Sequence, residues 1–170
     1  MDDVQRLIVD QIPHLRRYAR ALLRDSHMAD DLVQDCLARA MDRLHLWAPG
    51  TNMRAWLFTI LHNQHINAAK RRSRQPDRVG LEADVEALRH TPPEQGAALV
   101  ARDINRALGQ LPEDQRQVVL LIGLEDMAYA DAAEVLDIPI GTVMSRLNRG
   151  RQRLREIMDS DETPTLRRVK

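Results

Sequence analysis

Apolar residues recur at steps of three and four along almost the whole chain, which is the period of a helix buried on one side. The clearest run consists of Ala29, Leu32, Val33, Cys36, Leu37, Ala40, Met41 and Leu44. No segment alternates with period two for long enough to predict a sheet. The pattern therefore predicts an all-α fold.

Local signals predict where these helices begin. Pro13 is expected in the first turn of a helix that continues to Leu23, because proline is favoured at that position. Asp30 and Asp31 are expected in the first turn of the next helix, where the helix dipole favours negative charge. Thr51 or Asn52 is expected to cap a third helix, over residues 53–72.

Proline and glycine interrupt the helical period between Ser73 and Glu94. This break predicts two small helical domains, at 1–72 and 95–160, with a flexible linker at 73–94 and a tail at 161–170. As a flexible coil, the linker would span roughly 25 Å on average. In the second domain, one apolar helix face is expected to contain Ala97, Val100, Ala101, Ile104, Ala107, Leu108 and Leu111.

Positive and negative charges balance, with 25 Lys and Arg against 25 Asp and Glu, but they are segregated along the chain. Equal numbers of positive and negative charges exclude a uniformly basic surface, but they allow a basic patch on one side of the protein. Basic residues concentrate in two groups: Arg54, Lys70, Arg71, Arg72, Arg74 and Arg78, and Arg146, Arg149, Arg151, Arg153 and Arg155. Acids collect at Glu113, Asp114, Glu125, Asp126, Asp131, Glu134 and Asp137.

Several classes of protein are excluded by composition. A single cysteine, Cys36, excludes a disulfide framework and a cysteine-based zinc site, and its place on an apolar stripe predicts a buried thiol. The longest apolar run, at 118–122, is far shorter than the ~20 residues that cross a bilayer. The acidic first residues do not resemble a signal peptide. We expect a cytoplasmic protein without membrane insertion.

The last third of the chain predicts a helix-turn-helix. A short helix at 129–136, a tight connection at 137–139 and a second helix from Ile140 have the spacing of that DNA-binding motif. Arginines on the outer face of the second helix can neutralise phosphates and bind guanine edges. The simpler interpretation is a solvated arginine face. The preceding turn favours DNA binding.

Residues in both halves match one known family. Leu111-Pro112-Glu113, the run 129–136 and the run 139–146 resemble region 4 of extracytoplasmic-function RNA polymerase sigma factors. The runs 29–35 and 54–58, together with Asn63, resemble region 2 of the same family. The resemblance covers about residues 10 to 158 and implies an alternative sigma factor. Such a protein binds core RNA polymerase, recognises the −10 and −35 promoter elements and starts transcription of a stress or envelope-type regulon.

The resemblance also implies three sets of site residues. Those expected to bind core polymerase are Asp30, Asp31, Gln34 and Asp35. Those expected to bind and melt the −10 element are Trp47, Asn52, Arg54, His62, Asn63, Lys70 and Arg71, with Asn63 contacting a flipped base. Those expected at the −35 element are Thr142, Ser145, Arg146, Arg149 and Arg153. Phe58 and Trp56 are expected in the core, with Trp56 entirely buried.

A sigma factor binds promoter DNA together with the polymerase and therefore needs less DNA affinity of its own, which explains the balanced charge. Its acidic surfaces would dock on the polymerase, or screen DNA until the protein has bound the polymerase. The short linker implies that polymerase holds the two domains apart. The family also implies a separate anti-sigma factor as a partner.

Two other classes of protein share parts of this pattern. A freestanding dimeric helix-turn-helix regulator would need a dimerisation surface, and the sequence has no extended heptad for one. His62 and His65, with His45 as a third ligand, could begin a metal site, but neither an HExxH motif nor a suitably spaced acid accompanies them. We expect no enzymatic activity, no metal and no cofactor.

Overall fold

The computed structural model describes residues 3–74 and 95–162, and within these ranges all regular structure is helical. The all-α prediction is confirmed. The linker prediction falls on residues outside the described ranges, apart from Ser73, which ends a helix, and Arg74. In chain order the helices are α1 (Asp3–Leu23), α2 (Ser26–Asp42), a 3-10 turn (Leu44–Leu46), α3 (Met53–Ser73), α4 (Gln95–Gly109), α5 (Glu113–Val119), a π-helical turn (Leu120–Leu124), α6 (Tyr129–Leu136) and α7 (Ile140–Glu162).

The first domain is a bundle of α1, α2 and α3 around one apolar core. Tyr18 of α1 and Phe58 of α3 meet edge to face, with ring centroids 5.4 Å apart. Both side chains are buried, as are Leu15, Leu57 and Leu61 around them. Aromatic pairs of this geometry add to the stabilisation that burial alone provides.

In the second domain α4, α5 and α6 pack against α7, and the π-helical turn contacts α5 and α6. The core of this domain contains Val118, Leu121, Val143 and Leu147, all of which are buried. Gly150 lets α7 lie close to α5, because a Cβ atom there would come within 2.7 Å of the Val119 Cγ2 atom. The core residues belong to one continuous hydrophobic cluster that also contains the core of the first domain.

Two predicted helix starts were wrong. Pro13 lies inside α1, which begins ten residues earlier at Asp3. Proline in a helix interior costs about 3 kcal/mol, but the extra turns bury Ile8 in the core. Helix α2 begins at Ser26 because Asp25 caps it, accepting a hydrogen bond from the Met28 amide at 2.9 Å. Asp30 and Asp31 therefore lie beyond the first turn.

The cap of α3 is Asn52, one of the two predicted residues. Its side-chain oxygen accepts a hydrogen bond from the Ala55 amide at 3.1 Å. Thr51 instead donates its hydroxyl to the Ala48 carbonyl at 2.7 Å, which closes the preceding turn. The predicted start of α3 at Met53 is confirmed.

Only one end of the predicted apolar face of α4 is buried. Ala107, Leu108 and Leu111 lie in the core, whereas Val100 is 54% exposed and Ile104 40% exposed. Helical period identifies an apolar face but not whether another element covers it. The uncovered part borders a mostly apolar groove of about 760 Å³ between α1 and α4.

Cys36 is a buried thiol, as predicted. Its Sγ atom donates a weak hydrogen bond to the Leu57 carbonyl at 3.5 Å, and burial raises the pKa of the thiol to about 12. We therefore expect a thiol reagent at pH 8 to modify the folded protein at least about 100-fold more slowly than the unfolded protein. A Ser145→Cys variant, with an exposed thiol, provides the control. Equal rates for Cys36 and the exposed thiol would contradict the prediction.

Among the residues described, no helix is long and apolar enough to cross a membrane.

Candidate nucleic-acid interface

The helix-turn-helix predicted from sequence is confirmed. Helix α6 ends at Leu136, and Asp137 adopts the left-handed conformation with φ of 52°. Aspartate tolerates this conformation better than most non-glycine residues, so the chain can turn sharply before α7 begins at Ile140. Ala132 of α6 is completely buried, and its small side chain permits close packing of the two helices.

The outer face of α7 presents most of the residues predicted for the −35 element. Ser145, Arg149 and Arg153 are exposed, and Thr142 is half-buried beside them. Arg146 is held differently: its Nε atom pairs with the Asp114 carboxylate at 3.5 Å, and its side chain is 26% exposed. The face available to DNA without rearrangement is therefore centred on Arg149 and Arg153.

The acidic surface of α2 is smaller than predicted. Asp31, Gln34 and Asp35 are exposed together on one side of the helix. Asp30 is half-buried and accepts a hydrogen bond from the Arg20 Nη2 atom at 3.3 Å, and Arg16 lies 3.7 Å from the same oxygen. Asp30 is therefore committed to an ion pair within the first domain.

The two tryptophans occupy the opposite environments from those predicted. Trp47 is only 8% exposed and belongs to the core, whereas Trp56 is half-buried on the surface of α3. Phe58 is completely buried, as expected. Trp56 lies seven residues before the exposed Asn63, which places both on one helix face. That spacing could have identified Trp56 as the accessible ring.

The remaining residues predicted on α3 divide between its surface and its buried side. Asn63, Lys70 and Arg71 are exposed. His62 is half-buried, and its pKa is lowered by burial and by nearby His65, while Glu113 acts in the opposite direction. An uncharged His62 can read a base edge but cannot neutralise a phosphate. Within the described ranges, no group of three or more side chains is arranged to hold a metal ion.

Two residues predicted to contact the −10 element are bound by the second domain instead. The Asn52 Nδ2 atom donates a hydrogen bond to the Asp131 carboxylate at 3.1 Å. The Arg54 Nη2 atom donates to the Glu125 carboxylate at 2.8 Å and also to the Glu125 carbonyl. Both contacts join α3 to the helix-turn-helix domain.

Glu125 also has partners on α1, which sequence analysis missed. Arg17 donates two hydrogen bonds to its carboxylate, at 2.8 and 3.0 Å, and the His14 Nδ1 atom lies 3.0 Å from the same group. The hydrogen bond to Glu125 raises the pKa of Arg17. The only available signal was the position of Glu125 shortly after the apolar run 118–122.

Comparisons with known proteins support the two-domain division. Residues 8–62 match the family model described as the sigma2 domain of PhyR, and residues 101–154 match that of sigma-70 region 4. The chain is 34% identical to the ECF RNA polymerase sigma factor EcfG of Rhodopseudomonas palustris, over 94% of this chain and 87% of the relative. It is 32% identical to the sigma factor HrpL of Pseudomonas syringae, over 92% of this chain and 87% of that protein.

The similarity extends to a solved structure. The sigma factor RpoE of Bartonella quintana, crystallised in complex with the anti-sigma factor NepR, is similar to this chain with a TM-score of 0.81 and 34% identity. The match covers 95% of this chain and 100% of that one.

Proposed function

Because the chain belongs to the extracytoplasmic-function RNA polymerase sigma factors, we propose a division of promoter recognition between its surfaces. Residues 1–72 act as region 2, and residues 95–160 act as region 4. Membership of this family replaces the alternative of a freestanding helix-turn-helix regulator. The protein acts in the cytoplasm as a non-enzymatic initiation factor, and the proposal includes no cofactor.

Helix α7 binds the −35 element in the major groove. The observation that carries the proposal is the exposed face with Arg149 and Arg153, presented by a helix-turn-helix whose second helix buries Val143 and Leu147 on its other side. A helix of this kind reads bases from its N-terminal part and contacts phosphates along its length. Thr142 and Ser145 lie nearer the helix start and are assigned to bases. Arg146 joins them after releasing Asp114.

Helix α3 and the preceding loop bind and melt the −10 element. Melting requires surfaces for unstacked bases and cations along the strand. Asn63 is assigned to a flipped base, with the accessible Trp56 ring beside it, and Lys70 and Arg71 to the phosphate backbone. Asn52, Arg54 and His62 complete the −10 surface. Trp47 is buried and anchors the preceding loop in the core.

Helix α2 contacts the polymerase through Asp31, Gln34 and Asp35. Asp30 holds α2 against α1 through its ion pairs with Arg16 and Arg20. Opposite charge across an interface increases both association rate and specificity. We also assign an anti-sigma factor as a partner, as for RpoE of Bartonella quintana. The apolar groove between α1 and α4 supports this, since a large uncovered apolar surface commonly marks a protein interface.

The test is transcription in vitro with core polymerase and sheared genomic DNA from the source bacterium. We expect transcripts from discrete start sites only when this protein is present, and their upstream sequences would define both promoter elements. If no such transcripts form, and the protein does not comigrate with core polymerase in gel filtration, the proposed function is wrong.

The α2 surface gives a separate prediction. Asp31→Asn combined with Asp35→Asn is expected to weaken binding to core polymerase by about tenfold or more, because the variant cannot form charge-assisted hydrogen bonds there. Fluorescence anisotropy of labelled protein titrated with core polymerase measures the change. Asp3→Asn with Asp10→Asn is the matched control, since it removes the same charge from exposed positions on α1. Equal affinities of the two double variants would contradict the assignment.

A further inference from the structure

The first part of α7 presents an exposed surface that carries no charge. The second helix of a helix-turn-helix contacts base edges with its N-terminal residues, so this part of α7 is the part within reach of bases. The exposed residues between positions 140 and 148 are Ile140, Gly141, Met144, Ser145 and Asn148. The exposed arginines of the helix begin only at Arg149. The exposed side chains nearest the bases are therefore uncharged.

Asn148 supplies the amide of this surface. It lies three residues after Ser145 and four after Met144, so it is a neighbour of both on the helix surface. The Asn148 side chain is exposed, and no described residue hydrogen-bonds to its amide. The next amide along the helix is occupied, because the Gln152 Nε2 atom donates to the Glu156 carboxylate at 3.0 Å. Both the donor and the acceptor of Asn148 are therefore available to a ligand.

An amide and an apolar side chain one turn apart match the major-groove edge of an A·T pair. Adenine presents the N7 acceptor beside the N6 donor, and an asparagine amide can bind both at once. Thymine presents its C5 methyl group on the same edge, where an apolar side chain can contact it. Met144 is apolar and 50% exposed, one turn before Asn148. A G·C pair offers neither the N6 donor nor the methyl group.

We infer that Asn148 and Met144 select an A·T pair in the −35 element, with the Asn148 amide on the adenine and Met144 on the thymine methyl group. This inference rests on the proposed role of α7 at that element. Neither side chain is charged, so neither adds to the sequence-independent attraction between a protein and phosphates. Their contribution to binding depends on the base pair that they meet.

Two arginines follow on the same side of α7 as Asn148. Arg151 and Arg155 come three and seven residues later, which places them roughly 5 and 10 Å further along the helix axis. Only the N-terminal part of such a helix reaches base edges. Their shared side therefore does not place Arg151 and Arg155 on bases.

The experiment measures the affinity of holoenzyme, assembled from core polymerase and the full-length protein, for promoter duplexes by competition. The promoter is one defined by the transcription test above, and each A·T pair of its −35 element is changed to G·C in turn. For the wild type, changing the selected pair is expected to weaken binding by roughly 5- to 150-fold. Asn148→Ala is expected to weaken binding to the original promoter to a similar extent, with no further loss when that one pair is changed.

Two base analogues separate the two contacts. 7-Deazaadenine at the selected position removes only the N7 acceptor, and it is expected to weaken binding by the wild type but not by Asn148→Ala. Deoxyuridine in place of the paired thymidine removes only the C5 methyl group. This change is expected to cost the wild type a few-fold in affinity, as for one buried methyl group, and to leave the affinity of Met144→Ala unchanged.

A change of preference provides a third readout. Asn148→Asp keeps the size of the side chain but can only accept hydrogen bonds, and an aspartate can accept one from the cytosine N4 amino group. The ratio of affinities for promoters with cytosine and with adenine at the selected position is expected to increase in this variant. The ratio removes the general loss of affinity caused by an added negative charge.

The matched control is Gln152→Ala, which removes an exposed amide that is bound to Glu156. It is expected to change affinity by at most about twofold and to keep the wild-type preference at every position. If Asn148→Ala discriminates among the promoters as the wild type does, or if the −35 element contains no A·T pair, the inference is overturned. Misfolding is not expected, since Asn148 is exposed and alanine favours helices, and circular dichroism verifies this.

Failure of the inference is separable from failure of the proposed function through the variant Arg149→Ala with Arg153→Ala. Loss of promoter binding in that variant, with unchanged discrimination by Asn148→Ala, would reject the A·T contact alone. Normal promoter binding by the arginine variant would reject the proposed role of α7 at the −35 element, and the inference with it.

Discussion

Replacing Arg149 and Arg153 together by alanine is expected to reduce transcription from promoters with a −35 element by at least about 30-fold. Each arginine is exposed on the outer face of α7, and an arginine that contacts a base or phosphate typically contributes about 1–3 kcal/mol. Both arginines are proposed to act in the same binding step, so the effects of removing them combine. Single-round transcription with saturating core polymerase measures the reduction.

The control is a double variant on the opposite side of the same helix. Arg151→Ala with Arg155→Ala removes the same charge, and both side chains are exposed. Residues two and six positions after Arg149 point away from it on a helical wheel. We expect at most a few-fold reduction from the general loss of positive charge. If the two double variants are equally impaired, α7 contributes charge without a defined DNA-facing side, and the −35 assignment is wrong.

Phe58→Ala is expected to lower the free energy of unfolding of the first domain by about 3–5 kcal/mol. The ring is completely buried, packs edge to face with Tyr18 and lies 5.8 Å from the Arg54 guanidinium carbon. Truncation leaves a cavity that the surrounding helices cannot fill without moving. Such a loss is a large fraction of the stability of a small domain.

Tryptophan fluorescence during urea unfolding measures this change specifically. The chain has two tryptophans, Trp47 and Trp56, and both lie in the first domain. Phe58→Leu is the graded control, because it removes the ring but keeps most of the apolar volume and should cost much less than the alanine variant. A difference of under about 1 kcal/mol between Phe58→Ala and the wild type would contradict the packing described for this core.

Local patterns were sufficient for the fold class, the helix-turn-helix and the family. The period of the apolar residues predicted helices because burial on one side of a helix requires it, and the residues at 137–139 predicted a turn because their local chemistry favours one. The cap at Asn52 and the buried Cys36 follow from the same short-range rules. Each of these properties depends on residues within a few turns of one another along the chain.

The tertiary structure decided the properties that depend on distant neighbours. Pro13 is tolerated inside α1 because the added turns bury Ile8, and Trp47 and Trp56 differ in exposure because of what packs on each. Asp30 is occupied by arginines from α1, and Glu125 by residues more than 70 positions away in sequence. The amphipathic period shows which helix faces are apolar, whereas burial and ion pairing depend on which of those faces pack against each other.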